Sequence, residues 1–240
     1  MENERNAQAA AQPAEEKKPV EEKKPGYPMH KRKYTPLYTI IVFLYGLLVK
    51  LLFFMKIEGR ENVPKDRNCI LMGNHQCLLD PVTLALCVPD REIHFMGKKE
   101  LFENKALGWV FRQVHGFPVD RGNMDMGAIR TAMGVLKAGE TLGIFPEGTR
   151  SKTGHMLPLL GGASLLALKS VCDVVPVYIE GAYKPFRRMV VHVGKPIEMA
   201  DLRAGRMNKE TCDALTERME AAFARLSGGK SLPPAEKTPA

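Results

Sequence analysis

Paired cysteines are missing from this chain. Its five cysteines, Cys69, Cys77, Cys87, Cys172 and Cys212, are odd in number and scattered, and none of their spacings suits zinc. That sets aside a disulfide scaffold and a thiolate metal site, and points to reduced thiols in a cytosolic setting. Tryptophan occurs once, the basic residues are dispersed and no nucleic-acid recognition motif is present, so no nucleic-acid partner is expected. A Gly-x-Ser-x-Gly elbow is also lacking. Ser164 stands in Gly161-Gly162-Ala163-Ser164-Leu165, at the wrong spacing for a serine nucleophile. No small-residue cleavage site follows the one long apolar run, which starts late and continues into Lys56-Ile57-Glu58-Gly59-Arg60, so that run does not read as a signal peptide.

What is present begins with charge. Lys and Arg number 35 against 27 Asp and Glu, a net +8 that favours anionic partners without choosing among them. The 240 residues leave, after polar tails, one domain of ordinary size. Residues 1–33 repeat Glu-Glu-Lys-Lys-Pro and residues 227–240 are rich in Gly, Pro and Lys. Both are predicted to be disordered, having too few apolar groups to offset the entropy of ordering.

Residues 34–56 are predicted to form a membrane-associating helical segment. Leu37 to Met55 is interrupted only by Lys50 and is led by His30-Lys31-Arg32-Lys33. As a helix it would reach about 28 Å at 1.5 Å per residue, just short of a hydrocarbon core of about 30 Å. Spanning and lying in the interface both remain open, because Lys50, Lys56 and Arg60 balance the charge upstream. A monotopic or re-entrant anchor on the cytoplasmic face is the expectation, against a buried helix of the soluble core.

Residues 57–226 alternate short apolar runs with helical periodicity. Strands are predicted at 69–72, 93–96, 117–119, 142–145, 174–179 and 189–193, and helices near 79–88, 105–113, 124–138, 161–171 and 209–226. This alternation predicts a single α/β layered domain with a mostly parallel central sheet flanked by helices. Loops at the carboxyl ends of such strands build sites, and His75, Arg121 and Glu147 each follow a predicted strand within a few residues.

Gly73-Asn74-His75-Gln76-Cys77-Leu78-Leu79-Asp80 pairs a titratable base with a carboxylate able to orient it. Alone, His-x4-Asp is weak evidence, and Cys77 inside it offers a competing nucleophile. Phe145-Pro146-Glu147-Gly148-Thr149-Arg150-Ser151 is a turn carrying a carboxylate, two hydroxyls and a guanidinium, which suits a phosphate as well as an internal Glu–Arg pair. Gly116-Phe117-Pro118-Val119-Asp120-Arg121 ends another strand with an acid and a guanidinium, and Lys98 and Lys99 follow a third. His94, His115, His155 and His192 read as structural or exposed, although His115 also stands five residues before an acid, Asp120.

In this order, and with Val175-Pro176-Val177 after them, these segments resemble the glycerolipid acyltransferase family, the bacterial 1-acyl-sn-glycerol-3-phosphate acyltransferases above all. The resemblance covers roughly residues 57–200. It implies a glycerol-3-phosphate acyltransferase-like fold, with His75 as general base and Asp80 as its dyad partner. It implies that Arg121, Glu147 and Arg150, with Gly148 and Thr149 on the same motif and Lys98 beside them, bind the acceptor phosphate. The implied reaction moves an acyl group from acyl-CoA or acyl-carrier protein to lysophosphatidic acid, with no metal and no cofactor beyond the thioester carrier, in contact with membrane lipid. Glycerol 3-phosphate or another lysophospholipid is the alternative acceptor. A non-catalytic protein that binds anionic lipid is the alternative class. One departure is visible: where the family often has a lysine shortly before a Gly-Ala pair, this chain has Leu159-Leu160-Gly161-Gly162-Ala163.

Overall fold

The computed structural model describes residues 27, 35–120, 125–181 and 183–229. Elements follow in the order α1 (Pro36–Leu52), β1 (Lys56–Glu58), β2 (Cys69–Gly73), α2 (Asp80–Cys87), β3 (Ile93–Lys98), α3 (Lys105–Gln113), β4 (Gly116–Val119), α4 (Met126–Lys137), β5 (Thr141–Ile144), α5 (Gly161–Lys169), β6 (Asp173–Glu180), β7 (Val190–Val193), α6 (Ala200–Ala204) and α7 (Lys209–Leu226). One seven-stranded sheet has the order β1-β7-β6-β2-β5-β3-β4. Its neighbours pair in parallel except β6 and β7, which are antiparallel. Five strands therefore point their carboxyl ends at one edge, with β2 and β5 side by side near the middle.

The alternation of side chains along β2 divides the core into two layers. Cys69 and Leu71 face a layer built with Tyr38, Tyr45 and Val49 of α1 and Leu84 of α2. Ile70 and Met72 face the other, with Leu136 of α4, Leu166 of α5 and Leu215, Met219 and Phe223 of α7. β2 is buried on both faces, which is why it reads as an unbroken apolar run.

The apolar segment forms a helix, but a shorter one than the run predicts. At 17 residues α1 is about 26 Å long, because the chain leaves helical backbone at Phe53 and turns into β1. Among the described residues no helix is long and apolar enough to cross a membrane. α1 is instead divided lengthwise: Tyr38, Tyr45 and Val49 are buried while Ile40, Phe43, Leu44, Leu47, Leu48 and Leu51 are exposed.

Each of the two predicted tails overlaps a few described residues. Tyr27 exchanges hydrogen bonds with Asn68, its N–H donating to Oδ1 at 2.8 Å and its carbonyl accepting from the Asn68 N–H at 3.1 Å. Ser227, Gly228 and Gly229 close the end of α7, where the Ser227 N–H donates to the Phe223 carbonyl at 2.9 Å and the Gly229 N–H to the Ala224 carbonyl at 2.8 Å. The rest of both predicted tails lies outside the described residues.

Candidate active site

Adjacency of β2 and β5 builds the site. Met72 is paired with Ile144, so the loops that follow these strands leave the sheet together. The His75 N–H donates to Glu147 Oε1 at 2.7 Å, and the Ser151 N–H donates to the His75 carbonyl at 2.8 Å. On the other side, Asn74 is pinned to β6: its Oδ1 accepts from the Ile179 N–H at 2.7 Å and its Nδ2 donates to the Ile179 carbonyl at 3.2 Å. The His75 ring then lies on Phe145, centroids 4.2 Å apart and planes 20° from parallel. Gly73 gives Leu84 and Phe145 close access to the strand end, where a Cβ would meet them at 2.9 Å and 3.2 Å.

Asp80 opens α2, followed by Pro81, which suits the first helical turn. Its side chain is fully buried, yet every bond it makes suits an anion. Oδ2 is 2.7 Å from His75 Nδ1 and accepts the N–H groups of Gln76 at 2.6 Å and Cys77 at 2.7 Å. Oδ1 accepts the hydroxyl of Tyr183 at 2.6 Å. These bonds fix the tautomer with a proton on Nδ1 and leave Nε2 as the basic nitrogen.

Tyr183, Thr83 and Tyr45 are the residues that motif reading missed. Tyr183 and Thr83 hydroxyls are 2.9 Å apart, and Thr83 and Tyr45 hydroxyls 2.6 Å. Burial, and after it the charge of Asp80, pushes the Tyr183 hydroxyl well above its ordinary range, and burial raises Tyr45 to about 12. Both remain protonated donors. Because the carboxylate can only accept, the proton order runs from Tyr45 to Thr83 to Tyr183 to Asp80, joining α1 to the dyad. Tyr45 and Tyr183 stand 30 residues before and 108 residues after His75 in the chain, so no local pattern signals them.

Glu147 has a different place from the one expected. It is 4% exposed, and its two oxygens are taken by the N–H groups of His75 and, at 2.7 Å, of Leu157. A buried carboxyl so engaged braces the His75 loop. Nor does it pair with Arg150, which like Thr149 is exposed on the same turn. Gly148 makes the turn possible, at φ 68°, where a Cβ would meet Leu160 at 2.4 Å. Lys98 lies on β3, separated from β2 by β5, and its Nζ is 3.0 Å from Glu100. Arg121 lies outside the described residues; the strand before it, β4, is the sheet edge three places from β2.

Burial pushes the Glu147 carboxyl up to about 7 from 4.5, the charge of Asp80 adding to the rise and the two N–H donors opposing it. A folded value above the unfolded one means that its contribution to stability is complete below about 4.5 and lost as pH rises through about 7. Glu147→Gln has no such titration. The Tm of wild type minus that of Glu147→Gln is therefore expected to fall as pH rises from 4.5 to 7, read by calorimetry across that window.

The remaining candidates have structural places. Ser164 is buried against Thr216, and Cys77 is half-buried. His94 is half-buried, which pushes its imidazole down to about 4, and it lies 4.6 Å from the His115 ring, whose Nε2 is 2.6 Å from Glu92. A mostly apolar cavity of about 370 Å³ opens at the same sheet edge, lined by Met96, Ile129, Ile144, Leu160 and Leu166 together with the acids Asp120 and Asp125, and reaching Phe145, Pro146 and Gly148.

Residues 54–180 match the family model described as Acyltransferase. The chain belongs to this family. The acyltransferase is 35% identical over 177 residues to the 1-acyl-sn-glycerol-3-phosphate acyltransferase of Bacillus subtilis, a match covering 72% of this chain and 87% of the relative. It is 32% identical over 195 residues to the protein of the same name from Streptococcus pneumoniae, covering 77% and 72%. Its fold is similar to that of the crystal structure of the 1-acyl-sn-glycerophosphate (LPA) acyltransferase PlsC from Thermotoga maritima, with TM-score 0.57 and 24% identity over 83% of this chain and 98% of that one. The acyltransferase thus has a mostly parallel α/β sheet, as the alternation of apolar and helical segments predicts, and its matched region holds both His75 and Glu147.

Proposed function

We propose that this acyltransferase moves a fatty acyl group from acyl-CoA or acyl-carrier protein to the free sn-2 hydroxyl of 1-acyl-sn-glycerol 3-phosphate, giving phosphatidic acid. The observation that carries the reading is the 2.7 Å bond from His75 Nδ1 to a fully buried Asp80, which leaves Nε2 for a substrate proton. The names of the relatives from Bacillus subtilis and Streptococcus pneumoniae supply the acceptor.

An alcohol ionises far too weakly to attack a thioester unaided. As the acceptor oxygen bonds to the thioester carbon, its proton passes to Nε2 of His75, and the imidazolium that forms is stabilised by Asp80. Collapse of the tetrahedral intermediate breaks the carbon–sulfur bond, and the thiolate leaves with that proton. The step balances without an acyl-enzyme and without a cofactor beyond the thioester carrier. Arg150, with Arg121 and Lys98, is assigned to the acceptor phosphate, and holding that phosphate positions the hydroxyl. Glu147 is assigned instead to holding the His75 loop. The apolar cavity beside Phe145 and Pro146 is assigned to the acyl chain, and the exposed stripe of α1 to the membrane interface on the cytoplasmic side.

Tyr183→Phe removes one donor to Asp80 while keeping the ring. It is expected to lower kcat on the order of tenfold, with KM for the acceptor little changed, measured by steady-state kinetics. The reading as a whole is tested with labelled acyl-CoA and acyl-carrier protein offered with lysophosphatidic acid, glycerol 3-phosphate and lysophosphatidylcholine, His75→Ala serving as the blank. Phosphatidic acid formed by wild type alone supports it. Product only with another acceptor overturns the assignment of lysophosphatidic acid, and no product with any pair overturns the reaction.

A further inference from the structure

Phe54 and Phe186 both hold left-handed backbone, at φ 42° and φ 61°, a region costly for a bulky side chain. Neither ring is used inside the protein: Phe54 is 57% exposed and Phe186 74%. The two segments are stitched together. The Phe186 N–H donates to the Leu52 carbonyl at 2.6 Å, and the Met189 N–H donates to the Phe53 carbonyl at 3.0 Å. The connection between β6 and β7 is thereby fixed against the end of α1, and Phe186 extends the exposed apolar stripe that runs through Phe43, Leu47, Leu51 and Phe54. Isolated exposed apolar groups are ordinary, but a continuous patch marks an interaction surface.

Charge indicates what covers it. The segment Lys184-Pro185-Phe186-Arg187-Arg188 carries three cations and no acid, and all five residues are exposed. An apolar wedge between cations is complementary to an anionic bilayer surface, where the ring enters the acyl boundary and the cations meet headgroup phosphates. We propose that residues 184–188 form a second membrane contact, continuous with α1, that seats Phe186 in the interface of an anionic bilayer. The proposal rests on the reading that α1 lies against the membrane. It has a consequence for the site, since Tyr183, which holds Asp80, immediately precedes this segment.

The test uses the full chain with its single tryptophan, Trp109, replaced by phenylalanine. Phe186→Trp in one protein and Leu47→Trp in another then serve as reporters, each checked against wild type by circular dichroism. Quenching by brominated acyl chains is measured in phosphatidylcholine vesicles with and without phosphatidylglycerol. Quenching at both positions, stronger at 186 with phosphatidylglycerol, is expected, and Arg187→Glu with Arg188→Glu should weaken vesicle binding on the order of tenfold. Quenching at 47 without quenching at 186 overturns the loop contact and leaves α1 on the membrane. Quenching at neither position overturns both. A blue shift at 186 that appears without lipid and rises with protein concentration assigns the patch to a second copy and overturns the proposal. None of these readouts needs acyl transfer, so the acceptor assignment stands or falls separately.

Discussion

His75→Ala is expected to lose acyl transfer by on the order of 10³-fold or more while the protein remains folded. The separation of the two effects follows from how the loop is held. Its anchors are the backbone N–H and carbonyl of His75, bonded to Glu147 and Ser151, and the side chain of Asn74, bonded to Ile179. None of these uses the imidazole. Removing the ring costs its stacking on Phe145 and its bond to Asp80, so a modest fall in Tm is expected. Single-turnover rates together with thermal melts check the pair of outcomes. A variant retaining most of the activity would show that His75 is not the base.

Asp80→Asn is expected to cost on the order of 10²–10³-fold in kcat with little loss of stability. The amide preserves the shape and one acceptor oxygen, which can keep the position shared by His75 Nδ1 and the Gln76 and Cys77 N–H groups, while its NH₂ faces Tyr183. What disappears is the negative charge that stabilises the imidazolium. Asp80→Ala differs, because it leaves those two loop N–H groups and the Tyr183 hydroxyl without their acceptor. Each buried donor left unsatisfied costs about 1–3 kcal/mol, so the alanine variant should be the less stable of the two. Denaturant titration beside steady-state kinetics separates lost charge from lost structure.

Much of this architecture was legible in the sequence because it is carried by local patterns. β2, β5 and β6 are built on short apolar runs, 69–72, 142–144 and 174–179, and α7 shows its buried face through Leu215, Met219, Ala222 and Phe223. β1 escaped because it is three residues long with Lys56 and Glu58 flanking a single apolar position, and it exists only through pairing with β7. His75 and Asp80 were visible as a pair because only the six residues 74–79 separate the end of β2 from the start of α2. Glu147 was visible as a motif residue but not as a brace, since the partner that defines its role is a backbone N–H in another loop. Tyr183 is a further case, joined to Asp80 across 103 residues of chain by a bond that no periodicity records.

The lengthwise division of α1 bears on how the enzyme can be handled at the bench. A helix that only tethered the protein could be cut away to give a soluble catalytic fragment. Here Tyr38, Tyr45 and Val49 are packed into the same layer as β2 and α2, and Tyr45 starts the hydroxyl chain that ends on Asp80. Truncation before β1 would uncover that layer and remove a member of the dyad's support. Solubility is better sought by changing the outward residues, Phe43, Leu47 and Leu51, to polar ones than by shortening the chain.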